Sequence, residues 1–426
     1  MLPARDVTAS TRCLLRLHPL ARPVALACCT LALACSVYDE SLLSRGAAPD
    51  ASARCTRTTW PGRPAGSALG GGIDFVVALR RFDLGEKYDP RDGSPVLEER
   101  AVGYDLDGRC TGDTETVDPL LTDDNACSAA GDWFDPVFGD LPGGRDNSLR
   151  HVINFVATYF TGFGTPSYNA AIESGEVSLL VHVKDYNGQA NDDSVQFVLY
   201  TPTSFDRANS APPRFLGDDV WPIASISYVN PETREPRYVS RAAWVRDGTL
   251  VAGFPNVDFR LRIGIAAAGV ADLNFRFLDA FITAKLTQDA AERWVLSDGQ
   301  IAARWKTKDV FDQTKFYPNP FPSPTASKNM CLHTPGYGLT HNAICQATDS
   351  YSGSSNSPGL MCDSISVGIA FETVPAKIGA TFDLPERVTD CGEFDPGKDS
   401  CERSWDQQVA AGILDAGAGA GDGAAP

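Results

Sequence analysis

The stretch GYDLDGRCTGD at residues 103–113 sets two aspartates one residue apart beside a glycine and a cysteine. Residues 105–146 hold eleven acids against only Arg109 and Arg145. Hard oxygen ligands at that density suit calcium, which takes about six to eight of them at ~2.3–2.6 Å. An EF-hand places acids at its first, third and fifth positions, glycine at the sixth and glutamate at the twelfth. Asp105 and Asp107 fit the first and third, but Gly108 falls at the fourth and no glutamate falls at the twelfth, so any calcium site here is irregular. Its candidate ligands are Asp105, Asp107, Asp146 and Asn147. If GYDLD ends a strand, Asp105 and Asp107 point to one side. Asp146 and Asn147 stand where a helix begins and could instead cap it. A second chemistry is glycoside hydrolysis, which needs two carboxyls about 5–9.5 Å apart. Trp133, Phe134 and Phe138 could stack on a sugar there, or simply anchor the loop to a core. The third reading is a solvated loop closed by Cys110–Cys127.

The cysteines favour export. Setting aside Cys13, Cys28, Cys29 and Cys35 leaves eight, an even number that reads as four disulfides. The short spacings predict Cys110–Cys127 and Cys331–Cys345. CLHTPGYGLTHNAIC (331–345) also offers Cys331, His333, His341 and Cys345 as ligands of the kind zinc accepts, and the disulfide is the stronger reading. No nucleophile elbow, His-Glu-x-x-His or phosphate-binding glycine loop occurs. The chain points away from an enzyme on these grounds.

The elements that must position these residues read mostly as strands. IDFVVALR (73–80), GEVSLLVHVKDY (175–186) and DSVQFVLYT (193–201) are apolar or alternating runs. RYVSRAAWV and TLVAG flank Asp247–Gly248, a hairpin turn signal, and Asn187–Gly188 is another. FRLRIGIAA (259–267), LNFRFLDAFITAKL (273–286), VLSDGQIAARW (295–305, with a further Asp-Gly turn) and SISVGIAFE (364–372) complete the set. NSLRHVINFVATYF (147–160) has helical spacing, and YNAAIESG (168–175) predicts a short second helix ended by Gly175. The expected fold is mainly β, a sandwich or jelly-roll-like body with an inserted helix pair. It spans 73–405 as one large domain, with a seam near 202–240.

The first residues carry an address. Arg5, Arg12, Arg16 and Arg22 precede an apolar run, Pro23–Ala34, shorter than the roughly 20 residues of a spanning helix. This is a signal peptide (1–34), and its ALAC exit matches a lipobox with Cys35 as the lipidated residue. Residues 35–72 then read as a flexible tether with a reach of ~30 Å, and 406–426 as a disordered Ala/Gly-rich tail. Removing residues 1–34 takes away four arginines and Asp6, leaving 33 basic against 53 acidic residues, a net charge of −20. That excludes nucleic acid as a partner. Attachment to the membrane is therefore expected through lipid rather than a basic patch.

CSVYDESLL after the signal, IDFVVALRRFDLG, GYDLDGRCT and GRDNSL together resemble a group of uncharacterised lipoproteins from myxobacteria. The resemblance runs more loosely through NGQANDDSV, LVAG, MCDSISVGIAF and PAKIG. It implies location and architecture, and no catalytic residue. The sequence thus predicts a lipid-anchored outer-membrane or cell-surface protein with a binding or structural role. Calcium is the one candidate cofactor, and a carbohydrate or surface protein the candidate ligand. The alternative is a carbohydrate-directed hydrolase using acids of 105–146. Mass spectrometry of the mature N-terminus should find diacylglyceryl-cysteine at Cys35; a free amino terminus at Ser36 or beyond would overturn the anchor.

Overall fold

Alternation builds the body. Strand β1 (Ile73–Asp83) turns Val77 and Leu79 into one apolar cluster and Ala78 into another, as a strand covered on both faces must. The computed structural model describes residues 57–66, 71–85, 102–111, 127–134, 139–159, 164–265, 269–321, 327–353 and 359–411. All of them belong to the unit running from Arg54 to Pro426. After β1 come α1 (Leu149–Tyr159), α2 (Thr165–Ser174), β2 (Leu180–Tyr186), β3 (Asp192–Tyr200), β4 (Val220–Ala224), β5 (Tyr228–Asn230) and β6 (Glu235–Pro236). Then follow β7 (Tyr238–Arg246), β8 (Thr249–Ile265), β9 (Gly269–Gln288), β10 (Trp294–Lys306) and α3 (Thr307–Thr314). The order ends with α4 (Tyr337–Gln346), β11 (Ser364–Pro375), β12 (Lys377–Phe382) and α5 (Trp405–Ala410).

The expected sandwich or jelly roll does not form. Eight strands close into an antiparallel barrel in the order β1-β11-β10-β9-β8-β7-β3-β2, because β1 pairs with β11 on one edge and β2 on the other. Inward alternation reads alike in a sandwich and a barrel, and the pairing of first strand with last leaves no local trace in the sequence. The β7–β8 turn is as expected: Asp247 and Gly248 have φ of 51° and 76°, both positive as a type I′ turn requires. Asp298–Gly299 is not a turn. It lies within β10, where Asp298 has φ 47° and the register to β9 slips between Ser297 and Gln300, a bulge.

Val183, Val195, Phe197, Leu250, Phe277 and Ile301 belong to the continuous cluster that fills the barrel. The helices gather at the rim where β1 and β10 end, and Leu149, Val152 and Ile153 of α1 extend that cluster. Asn169 of α2 grips the end of β1 from both sides, accepting from Phe82 N–H (2.8 Å) and donating to Phe82 O (3.0 Å). A second apolar cluster lies outside the wall, where Trp221, Ile223 and Tyr228 cover Ala78, Leu180, Val198 and Tyr200. The segment around 202–240 is thus an outer layer on the barrel.

Residues 57–66, inside the expected tether of 35–72, are packed on the barrel, and residues 35–56 lie outside the described residues. Trp60 stacks on Phe281 at 3.7 Å between centroids, Thr58 N–H bonds Gly143 O, and Trp244 Nε1 donates to Pro61 O at 3.0 Å. Residues 406–410, expected in the tail, are helical instead: they belong to α5, which runs to Ala410 behind a capping box of Ser404 and Gln407, and the rest of the expected tail from residue 412 lies outside the described residues.

The disulfides pair differently from expectation. Among the described residues they join Cys127–Cys362, Cys331–Cys391 and Cys345–Cys401, and Cys110, itself disulfide-bonded, pairs with none of these six. Cys331 and Cys345 lie on either side of most of α4, whose ten residues span ~15 Å, beyond the ~7 Å that a disulfide bridges. Each is stapled instead to the C-terminal segment. There His341 is fully buried, its ring stacked with Trp133 and Phe311. Its Nδ1 lies 2.8 Å from Asp399 Oδ2 and its Nε2 3.1 Å from Arg403 O. Tyr337 also donates to Asp399 Oδ2, at 2.9 Å. Burial pushes Asp399 up, but the hydrogen bond and charge of His341 outweigh it and hold the carboxyl below its ordinary range. Removing one partner strands the other in a dry interior, which costs about 3–5 kcal/mol. His341→Ala should lower unfolding stability by that amount in urea titration. A loss below ~1 kcal/mol would show the pair to be solvated.

Candidate metal centre

The outer wall of β10 and β11 carries small or polar side chains, with Ala302, Ser366 and Gly368 alternating with the inward Ile301, Val367 and Ile369. Residues 102–111 lie on this wall. Tyr104 Oη meets Thr283 Oγ1 at 2.8 Å, Gly103 N–H donates to Gln300 Oε1 at 3.2 Å, and Arg304 donates to Leu106 O. Two glycines make the approach possible. Gly103 has φ 116°, and a Cβ there would stand 2.6 Å from Asp146 O; one on Gly368 would stand 2.7 Å from Val102 O.

This packing brings three of the four expected ligands together. Asp105, Asp107 and Asp146 each offer a carboxylate oxygen, and the three oxygens lie within 4.8 Å of one another. Two ligands each ~2.4 Å from one calcium ion can be at most ~4.8 Å apart, so the trio fits a single ion. One oxygen of each carboxylate is already oriented by backbone. Gly108 N–H bonds Asp105 Oδ1 (2.6 Å), Arg109 N–H bonds Asp107 Oδ1 (2.8 Å) and Leu106 N–H bonds Asp146 Oδ2 (2.6 Å). Asp105 and Asp146 are only 5% and 4% exposed. Among the described residues Asp105 Oδ2 accepts no hydrogen bond; the half-exposed Arg57 approaches it at 3.5 Å through Nε.

Two further carboxylates stand behind the trio. Asp140 accepts from Thr111 N–H (2.7 Å) and Thr111 Oγ1 (2.8 Å). Asp349 accepts from Ser366 N–H (2.8 Å) and Ser366 Oγ (2.5 Å). Burial first, and the neighbouring carboxylates next, raise the whole group. Asp107 is pushed up to about 7 by burial and by Asp140, and Asp349 to about 6 chiefly by burial. Asp146 rises well above the ordinary carboxylate range through burial and then Asp107 and Asp140. Burial likewise raises Asp105 and Asp140 against the hydrogen bonds that oppose it. Five close carboxyls with so little positive charge must hold protons or a cation. A hard divalent ion with flexible coordination answers that demand, and calcium suits it best.

Asn147 is not a ligand. Its Oδ1 accepts Gly368 N–H (2.9 Å) and its Nδ2 donates to Leu84 O (3.2 Å), so both ends clamp backbone. Nor do Asp146 and Asn147 cap α1, since Asp146 serves Leu106 and Asn147 serves β11. Asp140 was legible as one acid among eleven; Asp349 and Arg57 were not, because only the fold brings them in. The zinc set is dismantled by the disulfides of Cys331 and Cys345 and by the bonding of His341 to Asp399. The trio itself leaves no room for a sugar ring between its carboxyls; of the other acids in the hydrolase reading, Asp113, Glu115, Asp118, Asp123, Asp124 and Asp135 lie outside the described residues. Trp133 anchors its loop instead, donating to Cys401 O at 3.0 Å and packing on Phe134. Cys35 and Phe138 lie outside the described residues.

No protein-family model matches the chain, and neither curated proteins nor solved structures give a match.

The acid group dictates a pH response. Carboxyls at about 7 and 6 when folded and near 3.9 when unfolded bind more protons in the native state. Their stabilisation is complete below the unfolded value and lost as pH rises through 6 to 7. In excess chelator the melting temperature should therefore fall from pH 5 to pH 8, and fall less steeply in Asp107→Asn. Parallel curves for the two proteins would refute the coupling.

Proposed function

We propose that this chain is a lipid-anchored protein of the outer membrane or cell surface, whose barrel binds calcium at Asp105, Asp107 and Asp146 and serves a non-catalytic binding or structural role. The carrying observation is the enclosure of three carboxylates within 4.8 Å, two of them almost wholly buried. Aspartates packed in this way repel, and a cation turns that repulsion into attraction. The ion would join the 102–111 loop to the residues before α1, stiffening the cover on the β10–β11 wall. A calcium-containing exterior supplies the ion, in keeping with the export signal and the disulfides. The outer wall also supports a body held clear of the bilayer. Arg80, Arg241, Arg276, Lys285 and Glu372 are exposed on the strands, where a lipid-facing barrel carries an apolar band. Among the described residues no helix is long and apolar enough to cross a membrane.

Calcium at 100-fold excess over its Kd should stabilise the native state by about 2.7 kcal/mol through mass action. Thermal melts in millimolar calcium and in excess chelator measure this. Asp107→Asn should weaken calcium binding at least tenfold in calorimetry while leaving the chelated protein as stable as the parent, or more so. Equal melting temperatures with and without calcium would overturn the site.

A further inference from the structure

A different cavity, of about 350 Å³, opens on the opposite wall. Its floor is the outer face of β2, β3 and β7. His182 and Lys184 face outward on β2 opposite Val198 and Gln196 of β3, and Val239 of β7 stands beside Val198. The β5–β6 hairpin forms its lip, held down by Arg237, whose Nε and Nη2 donate to Ile226 O and Tyr228 O, each at 2.9 Å.

What lines this cavity is unusual for so acidic a chain. Lys184, Arg234 and Arg241 all border it, and among the described residues none makes an ion pair or side-chain hydrogen bond. Two nearby carboxylates are otherwise engaged. Asp185 Oδ2 takes the Gln196 amide (2.8 Å), and Asp74 Oδ1 takes Asp185 N–H (3.0 Å), with Asp74 Oδ2 3.8 Å from His182. Tyr200 and Tyr228 close the inner end, rings 5.8 Å apart, and neither hydroxyl has a hydrogen-bond partner among the described residues. Burial, with Tyr228 next, pushes Tyr200 up to about 12, so its hydroxyl keeps its proton and can donate. Burial and then the charge of Lys184 hold His182 below its ordinary value, against Asp74. Arg234 is held at φ 53°, a left-handed conformation that a branched hairpin lip imposes on an arginine only at some cost.

We propose that this cavity binds a small organic oxyanion, a carboxylate or phosphate on a compact polar body such as a sugar, with Lys184, Arg234 and Arg241 meeting the charge and Tyr200 and Tyr228 donating to its oxygens. The volume lies within the ~300–1,000 Å³ of small-molecule sites. Guanidinium groups are the side chains that best match planar carboxylate and phosphate. The site shares no residue with the calcium centre and stands whether or not that centre holds an ion.

Calorimetry on the intact protein should use digalacturonate and glucose 6-phosphate, with galactose and glucose as neutral twins. The charged members should bind at least tenfold tighter than their twins, and weaken as salt rises. Whichever of the two anions binds names the carboxylate or the phosphate as the preferred group. The double variant Lys184→Gln/Arg241→Gln should lose at least tenfold in affinity at unchanged melting temperature. Tyr200→Phe should lose severalfold, which a purely electrostatic patch would not show. Failure of both anions to bind at millimolar concentration, equal binding of the neutral twins, or unchanged affinity in the double variant would overturn the proposal.

Discussion

β1 must be hydrogen-bonded along both edges, and that closure governs the rest of the molecule. Its register to β11 slips between Leu79 and Arg81, and to β2 between Ile73 and Phe75, so the strand bends to serve both neighbours. Once it does, β1 offers no open edge, and the hazard of edge pairing there disappears; β7 and β8 pair only beside their turn, from Trp244–Val251 to Arg246–Thr249. Closure at eight strands also fixes what the interior can be. A barrel of this number is just wide enough for its own side chains, and here phenylalanine, valine and isoleucine fill it. An apolar void at the helical rim, against α1 and α3, is only about 80 Å³. Both candidate sites accordingly lie on the outer wall, where loops cover the strands.

The acid centre shows how such a cover is held. Three of its carboxyls come from loops and one, Asp146, from the residues entering α1, while Asp349 and Ser366 belong to the wall side. Backbone N–H groups orient the trio but cannot neutralise it. Arg57 reaches only Asp105, and Arg304 is shared between Leu106 O and Asp279, 3.6 Å away. Protons suffice at low pH; near neutrality a cation is the better counter-charge. The same residues can thus be a loosely held cover or a rigid one, according to what fills the centre.

Much of this was legible from residue pattern alone. Every long strand was visible as an apolar or alternating run, and α1 and α2 announced themselves through spacing and Gly175, which caps α2 at φ 81°. Asp105, Asp107 and Asp146 could be singled out because an acid pair and a helix start flanked one loop. What could not be read was anything decided by long-range closure. The pairing of β1 with β11, the cysteine partners 56 to 235 residues apart and the arrival of Asp349 beside Asp140 have no local signature. The Asp298–Gly299 bulge misled for a related reason: a positive φ is what the dipeptide favours, and a bulge satisfies it as well as a turn.

Closure also decides how the two candidate sites stand to each other. In the cyclic strand order β10 and β3 are four places apart in either direction, so the acid centre and the cationic cavity occupy opposite walls. Four strand spacings of about 4.8 Å put ~19 Å of wall between them, while charges exposed to physiological salt are screened within ~8 Å. The sites can therefore carry opposite signs without cancelling. A chain of formal charge −17 would repel an anion at long range, yet Lys184, Arg234 and Arg241 set a local potential of the other sign inside a partly enclosed cavity. That combination disfavours extended polyanions, which must lie along the acidic surface, and favours a small anion that fits wholly within the cavity.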